Sequence, residues 1–135
     1  EEALAEPKRV RPDCQLVASA RAAIARVTEA LQTQGFGMLT EIDVSATLKK
    51  KLDVDVKPYK ILGACTPTLA YEAYTANSDV ASLLPCNAVI REIAPGRISL
   101  EFVKPTAMMQ ILGDTRLAEL ARAADTKIES ALANV

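Results

Sequence analysis

The residues with the clearest chemical potential are two of the three cysteines, Cys65 and Cys86. Cys65 lies in ILGACTP (61–67) and Cys86 in LLPCN (83–87), and each borders a predicted junction between a strand and a helix. Because both junctions can fall at the same edge of one sheet, we predict that the two thiols share one small cleft. Thiolates are nucleophiles and ligands for soft metal ions. Free cysteine also packs as a small hydrophobic residue, so a purely structural role stays open for each.

The residues around the cysteines suggest how a thiol could be activated. Thr66-Pro67 is typical of a helix start, because threonine accepts hydrogen bonds from first-turn amides and proline fits the first turn. A helix N-terminus carries about half a positive charge, which favours a thiolate on Cys65. Asn87 directly follows Cys86, and we expect it to supply an amide group to the same cleft.

Glu41 and Asp43 form a second group of candidates. They lie on one face of a predicted strand, roughly 7 Å apart, opposite its apolar stripe. Near the cysteines, two carboxylates could perform acid–base chemistry if a cleft raised the pKa of one of them. The alternative is a solvated face on which Asp43 caps the helix that follows.

The composition restricts the metal sites and catalytic arrangements that the chain can form alone. It has no histidine, which excludes Ser-His-Asp and Cys-His catalysis within one chain. Three cysteines (14, 65 and 86) are too few for a tetrahedral thiolate site, so Cys65 and Cys86 are the predicted metal ligands and Cys14 is taken as incidental. Met108-Met109 is predicted to belong to the core, although thioethers combined with thiolates would suit Cu(I).

Charge and hydropathy indicate a water-soluble domain without a nucleic-acid or membrane partner. The net charge is −1 and only 4% of the residues are aromatic, unlike a nucleic-acid-binding surface. No apolar run reaches the roughly 18 residues of a membrane span. The odd cysteine count predicts reduced thiols in the cytoplasm, and export after removal of a signal stays open because the sequence does not begin with methionine.

Hydrophobic periodicity predicts a single α+β domain over residues 11–135, preceded by a flexible arm over 1–10. The expected order is β-α-β-α-β-α-β-β-α, forming a mainly antiparallel sheet with helices packed on one face. FGMLTEIDV (36–44) alternates with a period of two, which places Phe36, Met38, Thr40, Ile42 and Val44 on a core face. The two strands AVIREIA and RISLEFV, separated by a turn at Pro95-Gly96, form the clearest predicted hairpin.

Three separated motifs resemble the domain of unknown function 302 family of small bacterial and archaeal α+β proteins. They are GFGMLTEIDV, PYKILGACTPTLAYEA and LLPCNAVIRE, and the resemblance covers about residues 14–134. The family pattern includes the cysteines matched by Cys65 and Cys86 and the acidic residues matched by Glu41 and Asp43. Where GACNP is common in the family, this chain has Thr66. The resemblance implies the fold and adds weight to the cysteine pair, but it implies no activity.

These observations support three functional hypotheses. The leading one is a small ligand-binding or sensing domain that binds a soft metal ion or a thiol-reactive molecule in a cleft lined by Cys65, Cys86 and Asn87, with Glu41 and Asp43 near. The second is a thiol-dependent transferase or redox protein with Cys65 as nucleophile and Cys86 as resolving thiol. The third is a homodimeric interaction module that uses the edge strand near Pro12 or the apolar stripe of the last helix. The sequence names no cofactor.

Overall fold

The structure, a computed structural model, describes residues 9–10, 13–14, 20–95 and 97–133. The predicted arm and the first predicted strand lie outside the described residues except at two short segments that pair with the sheet. The elements in chain order are β1 (Arg9–Val10), β2 (Asp13–Cys14), α1 (Ala20–Gln32), β3 (Gly37–Asp43), α2 (Val44–Leu52), β4 (Tyr59–Cys65), α3 (Pro67–Ala76), a 3-10 helix (Ser78–Leu83), β5 (Cys86–Ala94), β6 (Arg97–Val103), α4 (Pro105–Met109) and α5 (Thr115–Leu132).

The strands form one antiparallel sheet in the order β3-β4-β5-β6, and β1 and β2 both pair with the outer side of β6. The predicted hairpin of β5 and β6 is confirmed, with Ile90 opposite Leu100 and Ala88 opposite Phe102; Gly96 of its turn lies outside the described residues. The α+β class, the single domain and the antiparallel sheet are therefore as the sequence predicted. Among the described residues, no helix is long and apolar enough to span a bilayer.

The main core lies between one face of the sheet and the two longest helices. Alternate residues of the central strands point into it, because side chains alternate across a strand. Helices α1 and α5 contribute apolar residues at three- and four-residue spacing. The completely buried large side chains of this layer are Val27, Leu31, Leu62, Ile90, Leu100, Phe102 and Ile128. Burying each of them contributes about 1.5–3 kcal/mol relative to exposure, so this layer accounts for most of the apolar stabilisation.

A smaller apolar cluster extends the core beyond the sheet. Ala73 of α3, Val80 of the 3-10 helix and Leu117 of α5 are buried there. Met109 of α4 packs against them. This second cluster packs α3, the 3-10 helix and α4 against α5.

The predicted core face of β3 is correct at its start and wrong beyond Met38. A β-bulge leaves Leu39 as an extra residue, so that Met38 pairs with Ala64 while Thr40 pairs with the adjacent Gly63. One extra residue reverses the face on which every later side chain lies. Ile42, predicted to be in the core, is consequently 49% exposed.

The last helix does not offer the dimer surface that the sequence suggested. Its apolar stripe is buried within the chain, at Leu117, Ala121, Ile128, Ala131 and Leu132. That prediction was wrong because the stripe is needed to cover the sheet and the second cluster. Pro12, the other suggested contact, lies outside the described residues.

Gly63 provides a test of how tightly β3, β4 and β5 fit together. A Cβ at Gly63 would collide with Thr40 Oγ1 and would lie 2.9 Å from Pro85 Cγ, a rigid ring atom. We expect Gly63→Ala to lower the free energy of unfolding by about 1–3 kcal/mol, the usual range for overpacking. Urea denaturation measures the change.

Gly37→Ala is the matched control, because a Cβ there would meet only Cys65 O at 4.0 Å. We expect it to change the free energy of unfolding by less than about 0.5 kcal/mol. Equal effects of the two substitutions would contradict the close approach at Gly63.

Candidate functional site

A small cavity of about 60 Å³ lies where the ends of β4 and β5 meet α3, α4 and α5. Its lining is mainly apolar, and both Cys65 and Cys86 belong to it. The space exists because many of the lining side chains are small. Five alanines line the cavity, namely Ala64, Ala70, Ala73, Ala121 and Ala124. Pockets for drug-sized ligands measure roughly 300–1,000 Å³, so this cavity fits an ion or a ligand of a few atoms.

Strand pairing brings the backbones of the two cysteines close together although they are distant in sequence. Cys65 is the last residue of β4 and Cys86 is the first residue of β5. In the antiparallel ladder Cys86 pairs with Ala64, the residue next to Cys65. The spacing of paired strands then places the two Cα atoms roughly 6 Å apart. Because Cys65 is adjacent to Ala64, its side chain leaves the strand on the opposite face from that of Cys86, at the strand end that borders the cavity. Both cysteines are free thiols and partly buried.

The surroundings of the thiols keep them protonated. Burial raises the pKa of Cys65 above its ordinary value. Burial, together with the neighbouring Cys65 and Asp125, raises the pKa of Cys86 to about 11. Desolvation disfavours the thiolate, which is the opposite of the effect expected from the N-terminus of α3. A reactive nucleophile needs the opposite shift.

Thr66 does not form the predicted helix cap. It is the N-cap residue of α3 with extended backbone geometry, but its side chain makes no capping hydrogen bond. Its hydroxyl oxygen is buried and finds no hydrogen-bond partner among the described residues. The side chain instead lines the cavity beside Cys65. A buried hydroxyl without a partner costs about 1–3 kcal/mol, and Thr66 carries that cost at the cavity wall.

Asp125 of α5 ties α4 to the rest of the site. Its two carboxylate oxygens accept hydrogen bonds from Thr106 N (3.1 Å) and Thr106 Oγ1 (2.6 Å). The N-cap residue of α4 has no side-chain hydrogen bond, so Asp125 satisfies one of the free first-turn amides from another helix. This contact fixes the short helix whose last residue, Met109, lines the cavity with the two cysteines.

Asn87 lies on the other side of the sheet from Cys86. Successive residues of a strand face opposite ways, and Asn87 pairs with Gly63 rather than with a residue of the cavity. Its side chain is exposed and belongs to a depression with Tyr59 and Arg91 on the sheet face opposite the main core. The structure therefore does not bring Asn87 together with the two thiols.

Glu41 and Asp43 lie at the end of β3 away from the cysteines, where Lys60 Nζ is 3.3 Å from Glu41 and 3.9 Å from Asp43. Asp43 caps α2, as one alternative predicted, by accepting from Ala46 N at 2.9 Å. This hydrogen bond, with another from Ser45 and the charge of Lys60, holds the pKa of Asp43 below its ordinary value. A lowered pKa suits a permanent carboxylate rather than a proton donor. Neither acidic residue lines the cavity.

The sequence did not predict that Thr66, Met109 and Asp125 lie at this site. Thr66 has the type and position of an ordinary helix cap, and Met109 fits an ordinary apolar helix face. Asp125 lies within the last helix among alternating polar residues, and its bond to Thr106 joins segments 19 residues apart. Only tertiary packing brings the three to one place.

Comparison with known proteins agrees with this architecture. The family model described as Domain of unknown function DUF302 matches residues 14–135. The crystal structure of an uncharacterized conserved DUF302 protein from Bacillus stearothermophilus is similar, with a TM-score of 0.85 and 26% sequence identity. The alignment covers 94% of this chain and 97% of that chain. No curated protein matches the sequence.

The raised pKa of Cys86 predicts a loss of stability at alkaline pH. Its pKa rises from an ordinary 9.0 to about 11, so the folded chain retains a proton that the unfolded chain releases above about pH 9. The unfolded state binds fewer protons there, and stability falls as the pH rises. We expect Cys86 to contribute a decrease of about 2–3 kcal/mol between pH 8 and 11.

Urea denaturation of the parent and of Cys86→Ala at several pH values measures this contribution. Other groups also titrate in this range, so the informative quantity is the difference between the two slopes. We expect the variant to lose less stability than the parent as the pH rises. Parallel pH profiles would contradict the protonated, desolvated thiol.

Proposed function

The chain belongs to the DUF302 family, and we propose that it is a small binding or sensing domain that holds a soft ligand between Cys65 and Cys86. One observation supports the proposal: Cys65 and Cys86, from paired strands, both belong to the lining of the same small, apolar cavity. Two sulfur atoms are the smallest set that can chelate a soft ion, and soft ions prefer thiolate to oxygen ligands.

The protonation state of the thiols favours binding over catalysis. A nucleophilic or redox cysteine reacts as the thiolate, whereas burial raises the pKa of both Cys65 and Cys86. A soft cation can still bind, because it displaces the thiol protons and stabilises the anions that it creates. Until such a cation arrives, the protonated thiols resist adventitious oxidation and alkylation, as a sensor requires.

The size and lining of the cavity restrict the ligand class. About 60 Å³ accommodates an ion or a very small molecule and is too small to enclose a coenzyme or a peptide. An apolar wall strips water from whatever enters, which penalises strongly hydrated ions. One chain supplies both thiols, so the proposed site does not depend on self-association, and the homodimer stays a prediction from the sequence.

Hg(II) is a suitable probe, since it binds two thiolates. In a Cys14→Ser background, which removes the third thiol, we expect one Hg(II) per chain and two released protons for each ion bound. Bound Hg(II) also stabilises the folded state by mass action, by about 2.7 kcal/mol at a free concentration one hundred times the dissociation constant. Calorimetric titration in two buffers measures stoichiometry and proton release.

Single substitutions test whether both sulfurs take part. Cys65→Ser and Cys86→Ser should each weaken Hg(II) binding by at least about a hundredfold, whereas Cys14→Ser alone should leave it as in the wild-type chain. Thermal unfolding establishes that each variant folds, and Cys65→Ala replaces Cys65→Ser if the serine is not tolerated. Release of a single proton, or unchanged affinity in a folded Cys86→Ser protein, would refute the shared site.

A further inference from the structure

We infer that the sheet face opposite the main core, called the outer face below, is a surface on which a second copy of this chain docks. The inference goes beyond the proposed function and does not depend on the thiol site. Its basis is that one half of the outer face carries a row of apolar side chains, while the other half carries a depression. A two-fold axis between the halves brings each feature of one copy against the other feature of its partner.

The outer face has apolar side chains where a solvated sheet has polar ones. In the register of the sheet, Ile42 of β3 lies opposite Ile61 of β4, and Ile61 lies opposite Val89 of β5. Directly opposed residues point to the same face, so the three form one row across three strands. Ile42 is 49% exposed, and Ile61 and Val89 are only partly buried. A solvated face of an antiparallel sheet is normally polar, so a contiguous apolar row there indicates a surface that another molecule covers.

The other half of the outer face is concave. A depression of about 380 Å³ lies over β5 and β6, and its lining includes Val89, Arg91 and Val103. Ile42 and Ile61 lie beside it, on the two strands that continue the sheet towards β3. The apolar row and the depression therefore occupy neighbouring halves of one face.

This division is matched by a second copy of the same chain. A two-fold axis that runs along the strands, between Ile61 and Val89, turns β3 and β4 of each copy onto β5 and β6 of the other. Ile61 of one copy then packs against Val89 of the other, and the symmetric contact forms at the same time. Two sheets packed in this way lie about 10 Å apart with their side chains interdigitated. An unrelated partner would need its own matching row and depression, whereas a second copy brings both.

The charged side chains next to the apolar row do not oppose this contact. Arg91 Nη2 donates to Glu101 Oε1 at 3.0 Å, so the two charges are paired within each chain. Burying a charge without a partner is costly, but each of these charges keeps its partner when the face is covered. The pair is also neutral as a whole, so two identical faces meet without repulsion between like charges at this position.

The size of the outer face predicts a dimer of moderate affinity. The four strands β3 to β6 have seven to nine residues each. At the usual strand spacing and rise per residue, the face measures roughly 19 by 23 Å. Two such faces, with the relief of their side chains, together bury roughly 1,000–1,300 Å² of accessible surface, near the lower limit for specific interfaces. We therefore expect a dissociation constant on the order of micromolar.

Sedimentation velocity of the full chain, in a concentration series across the micromolar range, tests the association. We expect a reversible increase to twice the mass of one chain. Ile61→Lys and Val89→Asp should each weaken association by at least about a hundredfold, because each buries an unpaired charge at two symmetric positions. Ile111→Lys is the matched control, since Ile111 is 69% exposed and lies outside the sheet, and it should associate as the parent does. A parent that stays monomeric, or equal loss of association in Ile111→Lys, would overturn the inference.

Mixing the two variants separates loss of an interface from damage to the chain. In the mixed pair, the lysine introduced at position 61 of one copy faces the aspartate introduced at position 89 of the other. The second contact keeps its native Ile61 and Val89. We expect a one-to-one heterodimer at least about tenfold tighter than either variant forms alone, because each introduced charge now has a partner. A mixture that shows no such gain would contradict the two-fold arrangement.

Thermal unfolding establishes that each variant folds. Ile42→Asp replaces a variant that does not, since Ile42 is already half exposed and its side chain faces Glu101 of the other copy in the proposed dimer. The two carboxylates then repel each other, and we expect association about tenfold weaker than in the parent. Unchanged association in folded Ile42→Asp would also overturn the inference.

Discussion

The register between β4 and β5 is the constraint on which the site depends. Pairing Ala64 with Cys86 puts the last residue of one strand beside the first residue of the next, across a connection of twenty residues. A slip of one residue would turn Cys86 to the opposite face and remove it from the cavity. The register is secured by the core, because the same alignment buries Leu62, Ala88 and Ile90. The packing of the apolar core thus fixes the positions of Cys65 and Cys86.

The cavity and the thiol chemistry have a common cause in the small residues around them. Alanines on α3 and α5 line the cavity at the strand ends and leave a gap between them. Exclusion of water raises the pKa of both thiols, most strongly for Cys86. A wetter cleft would have made these cysteines ordinary reactive thiols. The packing around the cavity therefore favours a binding role for the two cysteines over a nucleophilic one.

Local sequence signals predicted the elements well but predicted contacts between them poorly. Gly35, the glycine that follows α1, has a positive φ of 84°, and Asp114 caps the last helix by accepting from Arg116 N. Such features depend on a few neighbouring residues, which the sequence displays. The period-two pattern predicted that Ile42 lies in the core. The bulge at Leu39 makes that prediction wrong, and nothing in GMLTEID marks the extra residue.

For the site, the sequence indicated the two cysteines through their position at strand boundaries. It could not indicate that Asn87 faces away or that Met109 and Asp125 come close, since these depend on register and helix packing.

The bulge in β3 has a consequence for the outer margin of the sheet. Leu39 and Ile42 are 62% and 49% exposed on a strand that, within the described ranges, has a neighbour on one side only. A regular strand with these side chains would be a template onto which another chain could add. The extra residue, Leu39, interrupts the outward row of amide and carbonyl groups. A strand from another chain therefore cannot form a regular ladder of hydrogen bonds along the whole edge. An irregularity that spoils the alternation of side chains thereby also protects the protein from edge-to-edge aggregation.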